Sequence, residues 1–338
     1  MPAREDIVSL SSHESIPGVT FRRLRGKRDY PTVADIVNRS WKADLFNGVN
    51  TAEDIARDLD IPQGFSVAKD VYMVELEGKQ VGFGRVYWAD RLRGVRSYTH
   101  MACLVPEARR QGIREAMLRM NEARIRTMAS RHKSRCTKFF ETEANSKRND
   151  WNRTVLRNDY VPYRHIFEMV RPNLDKIPAV ELPDGLEVRP VVPRDHRTIW
   201  RAAREAFKDE PGFRSQTWSD EGLRWFSGSR WWTPGMWQIA WDGNQVAGGV
   251  INMIDEEENR AFKRNWGYTV IIFTRTPWRR KGLAGALIAQ SLEVHKSKGM
   301  KEAALAVDTE NPTGALRLYR RMGYRAHSQY TFYRKPVP

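Results

Sequence analysis

The amino-acid sequence predicts an α/β fold with a mixed sheet, built twice in tandem. Three observations carry that expectation: four landmarks recur in order along the chain, each half alternates strand-like and helix-like segments, and a proline-rich break separates the halves. Gly18 of GVTFRR returns as Gly185 of GLEVRP, and the hairpin turning at Gly78 returns at Gly243. The basic turn at Gly112 returns at Gly282, and Asp159 of NDY returns as Gly323 of MGY. The separations all lie between 164 and 170 residues. One such coincidence is unremarkable, whereas four in register imply one supersecondary programme used twice. Between the copies, RPNLDKIPAVELPDG breaks every periodic pattern, which predicts a first domain over 1–171, a linker over 172–184 and a second domain over 185–338.

Each copy reads as a strand, one or two helices, a two-stranded hairpin, another strand, a long helix, a strand, a helix and closing strands. In the second copy, alternating MWQIAW and QVAGGVINM flank Asp242-Gly243, a dipeptide suited to a tight turn with positive φ. WGYTVIIFT carries the β-branched and aromatic content of a buried strand, and Leu283, Ala286, Leu287 and Val294 then keep helical spacing. In NPTGALRLYRRMGY, Asn311 suits an N-cap, Pro312 the first helical position and Gly323 the left-handed residue that ends a helix. Ala315, Leu318, Tyr319 and Met322 fall on one inward stripe of that helix.

Length and composition fit this organisation. The 338 residues suffice for two cores, and an apolar fraction of 41% with 29% charged residues is ordinary for a soluble globular chain. No apolar run approaches the roughly twenty residues that a bilayer requires, and the N-terminus lacks the basic-then-apolar pattern of a secretory signal, so a cytoplasmic protein is expected. Cys103 and Cys136 form no metal-ligand spacing, and reduced thiols and no metal are expected. The net charge of +16 attracts anions without naming one: coenzyme A and nucleic acid both qualify. The densest basic stretch, Arg109 to Lys138, reads as the solvated face of an amphipathic helix. It has no nucleic-acid recognition motif beside it, and nucleic acid is not the expected partner.

Chemistry concentrates in the second copy. Arg279, Arg280, Lys281, Gly282, Leu283 and Ala284 stand between a strand and a helix, where unpaired N–H groups and the helix dipole face an anion. Glycine there lets the backbone approach closely, and the small Ala284 avoids a clash. WRRKGLA resembles the acyl-CoA pyrophosphate motif of the GNAT acyltransferase superfamily, and NPTGALRLYRRMGY resembles its C-terminal helix motif. Two copies with the better motifs second are similar in arrangement to tandem acetyltransferases of the mycothiol synthase type. The resemblance covers both halves in element order, its sharp motifs only residues 266–324.

That resemblance implies two GNAT-like domains, each a mixed, mostly antiparallel sheet flanked by helices, and an acyl donor, acetyl-CoA. Arg279 through Ala284 would hold the pyrophosphate by main-chain amides, and the strand end at Ile272, Phe273 and Thr274 would pair with the pantetheine. Asn311 would anchor the same arm, with Ala315 counted among the cofactor-binding positions. Asn311 lies one residue further from the tyrosine than in the commonest family spacing. Tyr319 falls at the position of the general acid that protonates the departing thiolate, a task suited to a phenol that stays protonated near neutrality. The attacking group would be a small-molecule amine, and the base that takes its proton is not readable: Asp308 and the run Asp255, Glu256, Glu257, Glu258 are candidates. Trp225, Trp231, Trp232 and Trp237 would either wall an acceptor pocket or pack a helix onto the sheet.

The first copy keeps Arg109, Arg110, Gln111 and Gly112, but Arg114 stands where the second has Ala284, and Val155 stands where the acid should be. A scaffold copy is expected, with one active site in the second half. The other function class compatible with these residues is a non-catalytic module that binds CoA or nucleic acid.

Overall fold

The computed structural model describes residues 16–338 apart from 61–63, 65, 110–111, 134, 148–149, 209, 211–212 and 312. Arg110, Gln111 and Pro312, named above, lie outside the described residues, as does the N-terminal segment 1–15. The chain divides into two compact units, one of residues 1–164 with 330–338, the other of residues 165–329. Among the described residues no helix is long and apolar enough to cross a membrane.

The first unit runs β1 (Val19–Arg23), α1 (Tyr30–Ala43), α2 (Ala52–Leu59), α3 (Val67–Asp70), β2 (Val71–Leu76), β3 (Lys79–Arg91), β4 (Val95–Leu104), α4 (Ile113–Arg131), β5 (Thr137–Asn145) and α5 (Asp150–Arg157). β1 to β4 pair antiparallel in succession, β5 lies parallel to β4, and Tyr330–Pro336 of β12 (Arg325–Pro336) closes the sheet antiparallel on β5. The parallel pair is possible because the nineteen-residue α4 supplies the crossover. α2 starts where Thr51 and Asp54 form a reciprocal capping box, which satisfies two otherwise orphaned N–H groups.

The second unit repeats the plan. Here β6 (Val161–Arg171) is followed by β7 (Glu187–Val188), α6 (His196–Phe207), α7 (Asp220–Ser227), β8 (Gln238–Asp242), β9 (Gln245–Met253), α8 (Glu256–Phe262), β10 (Trp266–Thr274), α9 (Leu283–Ser297), β11 (Glu302–Asp308) and α10 (Ala315–Arg321). β7 to β10 are antiparallel neighbours, β11 is parallel to β10, and Ile166–Arg171 of β6 runs antiparallel on β11. Both sheets are therefore mixed, mostly antiparallel and flanked by helices. The hairpin turns at Gly78 and Gly243 take φ of +79° and +53°.

The compact units differ from the sequence expectation at both ends. Residues 165–171 belong to the second unit because they pair with β11, and 330–338 to the first because they pair with β5. The proline-rich stretch 172–184 is irregular, and Leu174 is buried in the second unit's core beside Leu287, Leu292 and Leu305. In the segment between α7 and β8, Trp232 packs edge-on to Trp237 at 4.7 Å, and Trp237 is buried with Phe226 of α7 and Trp200 of α6. That placement supports the packing role for Trp232 and Trp237.

The basic stretch departs from expectation. Arg114 is buried, donating from Nη1 and Nη2 to Asp44 and from Nε to the carbonyl of Ala102 at 3.3 Å. Arg109 donates to Asp44 at 3.0 Å, Arg124 pairs with Asp70 at 2.5 Å, and Lys138 donates to two carbonyls at the end of α4. Only part of the stretch, including Arg119, Arg131 and Arg135, faces solvent. The carboxylates that internalise the others lie far away in sequence, which is why spacing within the helix does not reveal them. Cys103 is buried and Cys136 half-buried, and neither forms a disulfide with another described residue. Burial pushes the Cys103 thiol up to about 12.

Candidate active site

In the second unit β10 and β11 pair for only three residues, Trp266 to Tyr268 against Glu302 to Ala304, and then part. β10 continues beside β9 alone, with Ile272, Phe273 and Thr274 opposite Val250, Gly249 and Gly248. A β-bulge between Thr269 and Ile271 interrupts that pairing where the strands diverge, and Val270 is exposed there. A bulge leaves one residue out of the ladder and re-aims its amide. The far edge of β10 beyond Tyr268 is thus an open row of main-chain donors and acceptors, suited to an amide-bearing arm laid along it. Phe273 itself points into the core.

The basic turn follows directly. Arg280 and Gly282 both take left-handed φ, +62° and +86°, with Lys281 between them. Successive residues of this kind turn their N–H groups inward and form an anion-binding concavity. α9 begins at Leu283, and its first intrahelical bond is donated by Ala286 to Gly282, so the amides of the first turn remain for a ligand. The side chains of Arg280 and Lys281 are exposed, and Ala284 leaves the turn uncrowded. Arg279 is spent differently: its guanidinium donates to the carbonyls of Thr274 and Ala206, both at 3.0 Å, and braces the turn against the end of α6.

Tyr319 lies on α10 with only 7% of its surface exposed, in the core with Leu287, Met322 and Tyr324. Among the described residues its hydroxyl has no hydrogen-bond partner. Burial raises the phenol above its ordinary value, and the nearby Tyr324 and Glu210 add to that. The group is therefore neutral at physiological pH and able to donate a hydrogen bond.

The start of α10 corrects the expected cap. The helix begins at Ala315 after Gly314, which takes φ of +78°, and not at Asn311. The Asn311 Oδ1 instead accepts from the Thr313 amide at 2.9 Å, closing a local turn, and its Nδ2 donates to Glu210 at 3.0 Å. Such side-chain turns compete with helix propagation. Gly323 does end the helix, at φ of +85°. Among the proposed bases, Asp255 caps α8 and accepts from Arg230 and Trp231, both at 2.8 Å, and Glu258 is held by Arg264 and Tyr268. Glu256 and Glu257 are in the first turn of α8, and Asp308 accepts from the Glu310 amide at 2.9 Å. Sequence reasoning overlooked Glu210, an isolated carboxylate with no periodic signal.

The first unit shows what the same frame looks like without these features. β3 and β4 pair without a bulge from Gly82–Leu104 to Arg91–Val95. The carbonyls of β4 at Met101 and Ala102 are taken by Asn121 and Arg114 of α4, at 3.1 and 3.3 Å. Val155 is fully buried where the phenol would stand, and Asp159 takes φ of +64° where the second copy has glycine.

The Acetyltransferase (GNAT) family model matches residues 198–324. A mycothiol acetyltransferase of Geodermatophilus obscurus is 23% identical over 263 residues, 77% of this chain and 80% of that protein. Several further mycothiol acetyltransferases match over little more than half of their own length. Among solved structures, a GCN5-related N-acetyltransferase from Sphaerobacter thermophilus matches with a TM-score of 0.69 and 25% identity, over 96% of this chain and 97% of that one. A tandem GNAT protein from the clavulanic acid biosynthesis pathway matches with a TM-score of 0.68 over 95% of this chain and 99% of that one; at 13% identity it speaks for the fold alone. The open edge of β10, the left-handed basic turn and the buried phenol fall inside the matched segment, so the second unit carries the stretch that matches the Acetyltransferase (GNAT) family, and the chain is a tandem, GNAT-like protein similar to the mycothiol acetyltransferases and to a GCN5-related N-acetyltransferase.

Proposed function

We propose that the second unit alone transfers an acetyl group from acetyl-CoA to a small-molecule primary amine, by direct attack and without a covalent enzyme intermediate. The observation that carries this reading is the presence, in one unit, of a left-handed basic turn at the end of an open strand edge and a buried phenol whose hydroxyl has no hydrogen-bond partner among the described residues. Acetyl-CoA would supply the activated carbonyl and a thiolate leaving group. Main-chain amides from Arg280 to Ala284 would receive its pyrophosphate, and the free edge of Ile272 to Thr274 its pantetheine amides. An amide at the bulge near Val270 would oppose charge developing on the carbonyl oxygen. As the C–S bond breaks, the Tyr319 hydroxyl would give its proton to the sulfur.

The acceptor must attack as a neutral amine, because an ammonium has no lone pair, and the proton its nitrogen loses as the amide forms would return through water to the Tyr319 phenolate or leave to solvent. The names of the relatives make a mycothiol precursor the first acceptor to test, with aminoglycoside-like and amino-acid-like amines beside it. The first unit would serve as scaffold, since Arg114 and Asn121 occupy the main-chain groups that a pantetheine arm needs. Isothermal titration with acetyl-CoA tests the reading: one site per chain supports it, two sites restore the first unit, and none overturns it. Thiol release across the amine panel then identifies the acceptor.

A further inference from the structure

We propose that Glu210 is the positioning residue of the acid: through Asn311 its carboxylate fastens the turn leading into α10, the helix that carries Tyr319, to the end of α6. This rests on the reading of Tyr319 as proton donor.

The geometry begins at α6. The amide of Glu210 donates to the Phe207 carbonyl at 2.9 Å and its own carbonyl accepts from Phe213 at 3.1 Å, so the residue sits in a defined turn just past the helix. Its Oε2 accepts from Asn311 Nδ2 at 3.0 Å, across 101 residues of sequence. Asn311 is itself pinned, its amide donating to Asp308 at 3.2 Å while its Oδ1 accepts from Thr313. Tyr319 follows on the helix that this turn opens. The same end of α6 is gripped by the phosphate turn, because Ala206 accepts from Arg279 at 3.0 Å and Glu205 pairs with Arg275 at 2.9 Å. Glu205, Ala206 and Glu210 between them therefore touch both the anion turn and the loop that presents the phenol.

The repeat shows that this carboxylate belongs to the frame. In the first unit the Ser40 carbonyl accepts from Arg109 as Ala206 accepts from Arg279, and four residues further on stands Asp44, the counterpart of Glu210. Asp44 binds Arg109 and Arg114 in the unit with Val155 at the position of the phenol; Glu210 binds Asn311 in the unit that has Tyr319 there.

Electrostatics is consistent with this placement: after burial, Tyr324, just past α10, and Glu210 both push the Tyr319 phenol up, and Arg171 of β6 acts on Tyr324. Arg317, Arg320 and Arg321 of its own helix are on the exposed face.

The test uses the full chain with difluorotyrosine incorporated, which brings phenol ionisation into the range where the protein stays folded. The Tyr319 resonance is assigned by its loss in Tyr319→Phe and titrated by fluorine NMR. Glu210→Ala removes the acceptor for Asn311; its Tyr319 resonance is expected to shift and kcat to fall about tenfold with acetyl-CoA affinity unchanged, whereas Glu210→Gln, which keeps an oxygen for Asn311, is expected to restore both. A resonance and a kcat unchanged in Glu210→Ala, or a loss in Glu210→Gln equal to that in Glu210→Ala, overturn the proposal. The acid role itself is tested by turnover of Tyr319→Phe, so failure of that reading and failure of this one give different results.

Discussion

His295 makes the sharpest prediction about stability. It lies in the last turn of α9, fully buried, with neither ring nitrogen partnered among the described residues, and its ring occupies the space where Gly267 has no side chain. Burial pushes the imidazole from 6.5 down to about 4. In the unfolded chain the same ring protonates freely below its ordinary value. The folded form therefore keeps its full advantage above 6.5 and loses it as pH falls toward about 4. At about 1.4 kcal/mol per unit, the loss reaches about 2 kcal/mol near pH ~5 and saturates at roughly 3 kcal/mol. Urea unfolding followed by tryptophan fluorescence, at pH ~7.5 and pH ~5, would be compared between the natural protein and His295→Leu. The natural protein is expected to lose about 2 kcal/mol more than the variant between these conditions. His100 of the first unit, pushed down to about 3 by burial, contributes in both proteins and cancels. Equal losses in the two proteins would refute the reasoning.

Four further outcomes follow from the site and its frame. Tyr319→Phe is expected to lower kcat by about a hundredfold or more with acetyl-CoA affinity unchanged, since only proton donation is removed; an equal loss of binding by calorimetry would make the ring structural. Gly282→Ala puts a side chain on a backbone at φ of +86°, so a loss of about 1 kcal/mol in thermal stability and weaker acetyl-CoA binding are expected, and an unchanged Tm and Kd would count against the turn. Gly267→Ala drives its Cβ into the His295 ring, and a double-mutant cycle with His295→Ala should return part of the loss; simple additivity would show that the two do not meet. Arg114→Ala strips one of the two arginines from the buried Asp44 carboxylate, so unfolding measurements should show a loss of about 3 kcal/mol without a second acetyl-CoA site appearing; a second site would overturn the scaffold reading.

Local signals read well from the sequence. WGYTVIIFT is β10 residue for residue, α9 starts immediately after Gly282, and Gly243 and Gly323 take the positive φ that their turn chemistry implies. What sequence missed is non-local. Arg114 looks solvated until Asp44, seventy residues earlier, is folded against it. The Asn311 cap fails because its side chain finds Glu210 and Thr313 instead of a helix amide. The β10 bulge leaves no mark in the pattern of apolar residues, since it changes which amides face outward and not which side chains are buried. Glu210 itself, one carboxylate in a loop, has no period to announce it.

The strand pairings at the two ends of the chain carry a consequence for biosynthesis. The seven residues Tyr330–Pro336 complete the sheet built by the earlier part of the chain, while Ile166–Arg171, made about halfway through, pairs with β11 of the later one. During translation the leading half must wait with β5 unpaired along one side until Tyr330–Pro336 has been made and has left the ribosome. Proteolysis in the proline-rich stretch would likewise yield two fragments that each lack a strand, and these should regain structure together and not separately.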